Sequence, residues 1–224
     1  GPGSRSKAKH ADICDLEKYQ VVVFDQRGCG KSEPKDSLEN VSTETSVEDI
    51  ERLREFLEIE KWHVSGGSWG STLALVYAEA HKERVKGLLL SAVWLADQES
   101  IEWAFGVNNS LKKIFPDVWV ERNKILNEVG IEEQASAGEL LDKLVSGTDE
   151  EKVAVTRAFD IWESNALSMG VDVQYIRPEE LDESAMDSVK MFLHYQKNDF
   201  FLADNQIMDN VQSIKDIPTA VSYT

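Results

Sequence analysis

The sequence has 224 residues, 42% hydrophobic and 29% charged, a globular mixture long enough for one large domain or two small ones. Its 24 Lys and Arg against 41 Asp and Glu give a formal charge of −17, which disfavours nucleic-acid backbones and anionic membranes because phosphates are bound by clustered positive charge. Apolar runs such as Val85–Ala96 are broken by Lys86 and are far short of a membrane span. No apolar leader opens the chain, and the two cysteines, Cys14 and Cys29, lack metal-ligand spacing and are too few for a disulfide framework. The expectation is a soluble, cytoplasmic, acidic protein without a metal.

Tyr19–Asp25 (YQVVVFD) is a β-branched run bounded by polar and glycine residues, which predicts a buried parallel strand. Gln26–Ser46, with Gly28, Gly30 and Pro34, reads as loop. Thr45 with Glu48 resembles a capping box, followed by a helix placing Val47, Ile50, Leu53 and Leu57 on one face. Trp62–Ser65 reads as a second strand, Trp69–His81 as a helix and Val85–Val93 as a third strand. This alternation implies a parallel sheet. From Asp97 the pattern turns helical, over Val118–Val129, Ala137–Val145, Glu150–Met169 and Pro178–Lys197, and only Ile217–Tyr223 returns to strand character. A helical block between sheet strands reads as an inserted cap.

The chemistry concentrates at Gly66-Gly67-Ser68-Trp69-Gly70, a G-x-S-x-G placed after a strand and at the head of the helix STLALVYAEA. Small flanking residues permit the sharp turn that lifts a serine Oγ above a sheet. The helix start supplies free N–H groups and a positive dipole end for a developing oxyanion, with the Trp69 backbone N–H as first donor. A glycine-rich turn with an incidental serine is the competing reading. The other glycine cluster, Asp25–Ser32, fails as a phosphate loop because Asp25 stands where the first glycine belongs. It fails as a dinucleotide fingerprint because Glu33 replaces the third. Asp25 and Arg27 are instead expected to hold the loop together.

The segments FDQRGCGKSEP, SVEDIERLREFLEI and WHVSGGSWGSTLALVYAEAHKERV together resemble the prolyl aminopeptidase (proline iminopeptidase) family of α/β-hydrolases. FPDVW, FDIWE, HYQKNDFFLADNQI and IKDIPT carry the likeness nearly to the end of the chain. The resemblance implies an α/β-hydrolase fold with a helical cap: core over 1–96, cap over 97–212, and the start of a returning core strand over 213–224. It implies Ser68 as nucleophile and release of N-terminal proline from peptides. No cofactor is implied. A cap carboxylate matching Glu163 would grip the substrate's amino group, with Trp94, Trp103 and Trp162 around the proline ring. An ordinary salt-bridged glutamate, and cap-core packing for the tryptophans, are the alternatives.

Two departures stand out. Phe192 occupies the place of a second clamp glutamate, and Gln196 replaces a phenylalanine after His194-Tyr195; Asp199 is a candidate replacement acid. A serine hydrolase also needs a base and an acid. The four histidines, His10, His63, His81 and His194, all fall outside the order serine, acid, histidine expected after a late strand. The resemblance places the catalytic aspartate and histidine beyond the strand beginning at Ile217, and an oxyanion loop at Gly1-Pro2-Gly3, where a cleavage scar over Gly1–Ser4 is the competing reading. The expectation is therefore an internal fragment of a longer hydrolase that has lost the strand between Tyr19–Asp25 and the nucleophile strand. The alternatives are a related capped hydrolase acting on esters or amides, and a catalytically inactive product.

Overall fold

Three parallel strands, β1 (Trp62–Gly67), β2 (Val85–Ser91) and β3 (Thr219–Ser222), are hydrogen-bonded in that order. They belong to a computed structural model that describes residues 1–35, 37–106, 111–168, 181 and 183–223. In β2, the central strand, Val85, Leu88 and Leu90 are buried. Its partners are in parallel register on both sides, Ser65 opposite Leu89 and Leu89 opposite Ala220.

The helices flanking the sheet are α1 (Thr43–Phe56) and α2 (Trp69–Ala80). Every residue of α2 from Ser71 to Ala78 is buried, as expected of a helix apolar on all sides and enclosed on all of them. It packs on β1, on α1, and on the segment just before β3. The α1 start differs from the sequence reading. Ser42 is the cap and Thr45 its third residue: the Ser42 hydroxyl accepts the Thr45 N–H (3.1 Å), and Thr45 Oγ1 accepts the Ser42 N–H (3.0 Å). This reciprocal pair starts the helix upstream of Thr45–Glu48 because threonine can fill the position usually given to Glu or Gln. Leu57 falls just beyond the helix, 39% exposed.

Tyr19–Asp25 forms no strand. Tyr19, Val22, Val23 and Phe24 are 37–52% exposed, and the segment passes the free edge of β1 without pairing, the Tyr19 ring lying edge-on to His63 at 6.4 Å. Strand propensity reflects packing against neighbours on the ladder and across the face; among the described residues this run has no such neighbour.

Among the described residues six α-helices lie between β2 and the segment leading to β3: α3 (Gln98–Phe105), α4 (Leu111–Ile114), α5 (Pro116–Asn127), α6 (Ala137–Ser146), α7 (Asp149–Ser168) and α8 (Glu183–Lys197); the short α9 (Gln206–Asn210) follows. The expected ends at Met169 and Pro178 lie outside the described residues. Two hydrophobic clusters result. One surrounds Trp69, Tyr77, Leu88 and Phe200 beside the sheet; the other gathers Leu126, Val155, Ile161 and Trp162 within the cap. Helix α8 serves both, giving Met191, Phe192 and Tyr195 to the first and Val189 and Leu193 to the second. That split follows from helical geometry, which puts residues three and four apart on a common face. Among the described residues, no helix is long and apolar enough to cross a membrane.

Candidate active site

At the junction of β1 and α2 the chain turns through Ser68 with φ 52° and ψ −126°. A positive φ at a non-glycine residue costs about 1–3 kcal/mol and persists only when the surroundings fix it. Here the Ser68 N–H donates to the Ser91 carbonyl on β2 (3.0 Å), while its own carbonyl accepts from the Ser71 N–H (2.8 Å) and Ser71 Oγ (2.6 Å). The glycines answer to space. A Cβ on Gly66 would sit 2.0 Å from the Gly70 carbonyl oxygen, and one on Gly67 2.6 Å from Ser91 Oγ; Gly70 itself faces open space. Ser68 is exposed at the head of α2, so its hydroxyl lies beside the unpaired N–H groups and positive end of that helix. An accessible hydroxyl there can attack an electrophile whose oxygen gains negative charge.

Trp69 anchors this turn from beneath. Its side chain is 1% exposed, its indole N–H donates to Gln26 Oε1 (3.3 Å), and its ring meets Tyr195 at 5.0 Å and Phe200 at 5.5 Å. Phe200 is fully buried and also meets Trp94 at 4.8 Å and Phe192 at 5.6 Å. It lies in a run of three positive-φ residues, Asp199, Phe200 and Phe201, with its carbonyl accepting the Thr43 hydroxyl (2.5 Å) from α1. Sequence reasoning missed Phe200, since nothing in NDFF marks left-handed backbone. Asp199 accepts from the Gln98 amide (2.7 Å).

Gly1, Glu163 and Phe192 converge. A Cβ on Gly1 would lie 3.7 Å from the Phe192 ring and 4.0 Å from Glu163 Oε1. Burial pushes the Glu163 carboxyl above its ordinary range. Asp160, one turn earlier on α7, adds repulsion to Glu163 and has one carboxylate oxygen, Oδ2, buried without a hydrogen bond. The Gly1–Gly3 segment is pinned to α8, where Ser188 Oγ donates to the Gly3 carbonyl (3.0 Å). A ring series of Trp69, Phe200 and Phe192 runs from the Ser68 turn to the Glu163 pocket.

Other expected groups lie elsewhere. Trp103 is 47% exposed and Trp162 is buried in the cap core, its N–H on the Ala104 carbonyl (2.9 Å); only Trp94 reaches the ring series. The histidines are engaged separately: His10 accepts from the Lys7 N–H, His63 meets Tyr19, His81 lies on Tyr77, and His194 contacts the Val41 carbonyl. Asp25 accepts the N–H groups of Ser6 (2.6 Å) and Lys31 (2.9 Å), and Arg27 makes a two-pronged pair with Asp49 (2.9 and 2.7 Å). These contacts fasten the 25–32 loop to its surroundings.

Residues 4–126 match the α/β hydrolase fold family. The chain is 35% identical over 223 residues to a proline iminopeptidase of Arabidopsis thaliana, covering 99% of this chain and 58% of the relative. It is 34% identical over 224 residues to a proline iminopeptidase of Xylella fastidiosa (strain 9a5c), covering all of this chain and 70% of the relative. The chain thus spans well short of the full length of these relatives. Among solved structures, MGS-M2, an α/β hydrolase enzyme from a Medee basin deep-sea metagenome library, superposes with a TM-score of 0.50 at 16% identity. That match covers 97% of this chain and 66% of the other, a likeness of fold.

Proposed function

The chain belongs to the proline iminopeptidase family of α/β hydrolases, and from that membership we propose that it serves a serine peptidase releasing N-terminal proline from peptides. The observation that carries the reading is the strained Ser68 turn, φ 52° and ψ −126°, packed through Gly66 at the head of α2. Strain of this kind raises the free energy of the fold and is retained where it presents a reactive group. In the proposed reaction Ser68 Oγ attacks the carbonyl carbon of the N-terminal proline. The carbonyl oxygen becomes an oxyanion facing the Trp69 N–H, with the Gly1 loop as candidate second donor. The proton given up by the Ser68 hydroxyl leaves on the peptide amine, whose expulsion leaves a prolyl ester on Ser68; water then adds its hydroxyl to the prolyl carbonyl, releasing proline, and its remaining proton restores the Ser68 hydroxyl. Glu163, whose carboxylate lies beside the Gly1 backbone and the Phe192 ring, is the group we assign to the substrate's amino end.

The core over 1–96, the cap over 97–212 and the returning strand from 213 divide these tasks, with the nucleophile in the first and the amine site in the second. The assignment stops at the nucleophile, the first oxyanion donor and the amine carboxylate; the four histidines have the separate contacts described above. A cytoplasmic setting accords with the acidic composition and is part of the proposal.

A second reading, a capped hydrolase acting on simple esters or amides, draws on Phe192. This side chain is 5% exposed and packs against Phe105, Phe159 and Phe200, giving the pocket an apolar wall where the resemblance implies a second carboxylate. Comparing a prolyl arylamide with a short acyl ester separates the two. The peptidase reading expects labelling by a fluorophosphonate that disappears in Ser68→Ala, with turnover favouring the prolyl arylamide and falling at least about tenfold in Glu163→Gln, the loss of one charge-assisted contact. Labelling that survives Ser68→Ala would refute it; preference for the ester would favour the second reading.

A further inference from the structure

We propose that the cap contains a second binding site, a cavity at Arg122 that takes a small molecule carrying one carboxylate on a compact aromatic or aliphatic body. The cavity measures about 220 Å³ and is walled by Phe105, Trp119, Phe159, Trp162 and Leu193. An apolar cavity of roughly 150 Å³ is already enough to hold benzene, so a single ring with one substituent fits.

Arg122 supplies the charge. Its guanidinium lies 4.6 Å from the centre of the Trp119 ring, and Nη1 donates to Asn123 Oδ1 (2.6 Å). A guanidinium has five N–H donors in a planar fork, and a single neutral amide leaves that fork open. Glu133 acts on Arg122 only at longer range, because its carboxylate accepts the Trp119 indole N–H (2.9 Å). Among the described residues no carboxylate pairs directly with Arg122. Burial lowers this guanidinium to about 10, so it remains charged at neutral pH. A largely buried cation without a two-pronged anionic partner retains much of its desolvation cost, and a carboxylate entering the cavity offsets it.

Gln196 gives the same cavity a second polar group. It is half-buried, lines the cavity, and its side chain makes no hydrogen bond to the described residues. It also stands where the resemblance has phenylalanine. Glu102, the other titratable group in the wall, is exposed and its repulsion is screened by water and salt. The layer of Phe105, Phe159 and Phe192, with ring centres 4.8–6.2 Å apart, stands between the cavity and the Gly1–Glu163 pocket. The proposal is therefore independent of the Ser68 chemistry.

Calorimetric titration of the full chain with benzoate and with its neutral counterpart benzamide, at fixed ionic strength, tests it. Benzoate is expected to bind one site at least about tenfold more tightly than benzamide. Arg122→Gln should remove that preference while leaving the weak benzamide binding, and Arg122→Lys should restore part of it, since a point charge replaces the fork. Equal binding of the two probes, no benzoate binding, or benzoate binding unchanged in Arg122→Gln would overturn the proposal. If Arg122→Gln does not fold, the comparison of the probes on the unaltered chain decides alone.

Discussion

Replacing Glu79 with glutamine should make the protein progressively more stable than its parent as the pH rises. Glu79 lies in the last turn of α2, with Oε1 buried and without a hydrogen-bond partner. Burial alone raises its carboxyl from 4.5 to about 7. Between those values the folded chain holds a proton that the unfolded chain releases, so stability falls as pH rises through this window and levels off above it. At about 1.4 kcal/mol per pH unit the full window is worth roughly 3 kcal/mol, and partial access of water to this side chain reduces it to about 1–2 kcal/mol. The glutamine amide carries its own desolvation cost, which is independent of pH and cancels when the difference between variant and parent is compared at pH 5 and pH 8.5. In thermal melts that difference should widen by about 2–8 °C for a domain of this size. A gap between Glu79→Gln and parent that is the same at both pH values would refute the reasoning.

Glu51 makes the opposite prediction. Arg54, Tyr77 and His81 surround its carboxylate and hold it down to about 2, so its contribution is complete above pH 4.5 and is lost as the pH falls toward 2. Urea melts should therefore show Glu51→Gln destabilised at pH 7 and converging on the parent near pH 2.5. Gly66→Ala should cost roughly 3 kcal/mol or more and abolish fluorophosphonate labelling, because its Cβ would meet the Gly70 carbonyl oxygen at 2.0 Å. Gly70→Ala, with nothing within 4 Å, should instead be neutral or up to about 1 kcal/mol stabilising; chemical denaturation distinguishes the two. Phe200→Ala removes a fully buried ring that touches Trp69, Trp94, Phe192 and Tyr195. It should cost about 3–5 kcal/mol and slow labelling of Ser68 under conditions where the variant remains folded.

The sequence by itself determined the local devices. G-x-S-x-G after a β run and before an apolar helix marked the turn at Ser68, because a strained elbow needs small neighbours in adjacent positions. Apolar periodicity located α2, α5 and α6 within about two residues of their ends, as well as the start of α7 and the end of α8, since a helix satisfies its backbone internally and depends on nearby residues. The failed prediction has the complementary cause. Tyr19–Asp25 has the composition of a strand, yet a strand exists only with a neighbour, and that neighbour is a property of the assembled sheet.

Tertiary structure alone decided what meets the site. No spacing pairs Phe200 with Trp69, puts Gly1 beside Glu163, or gives Arg122 a cavity, for each joins residues remote in sequence. The two titrating carboxyls make the same point. Glu51 and Glu79 are alike as sequence, and only their neighbours push one down to about 2 and the other up to about 7. A side chain's type fixes what it can do, while burial and the charges folded around it fix which of those things is favourable.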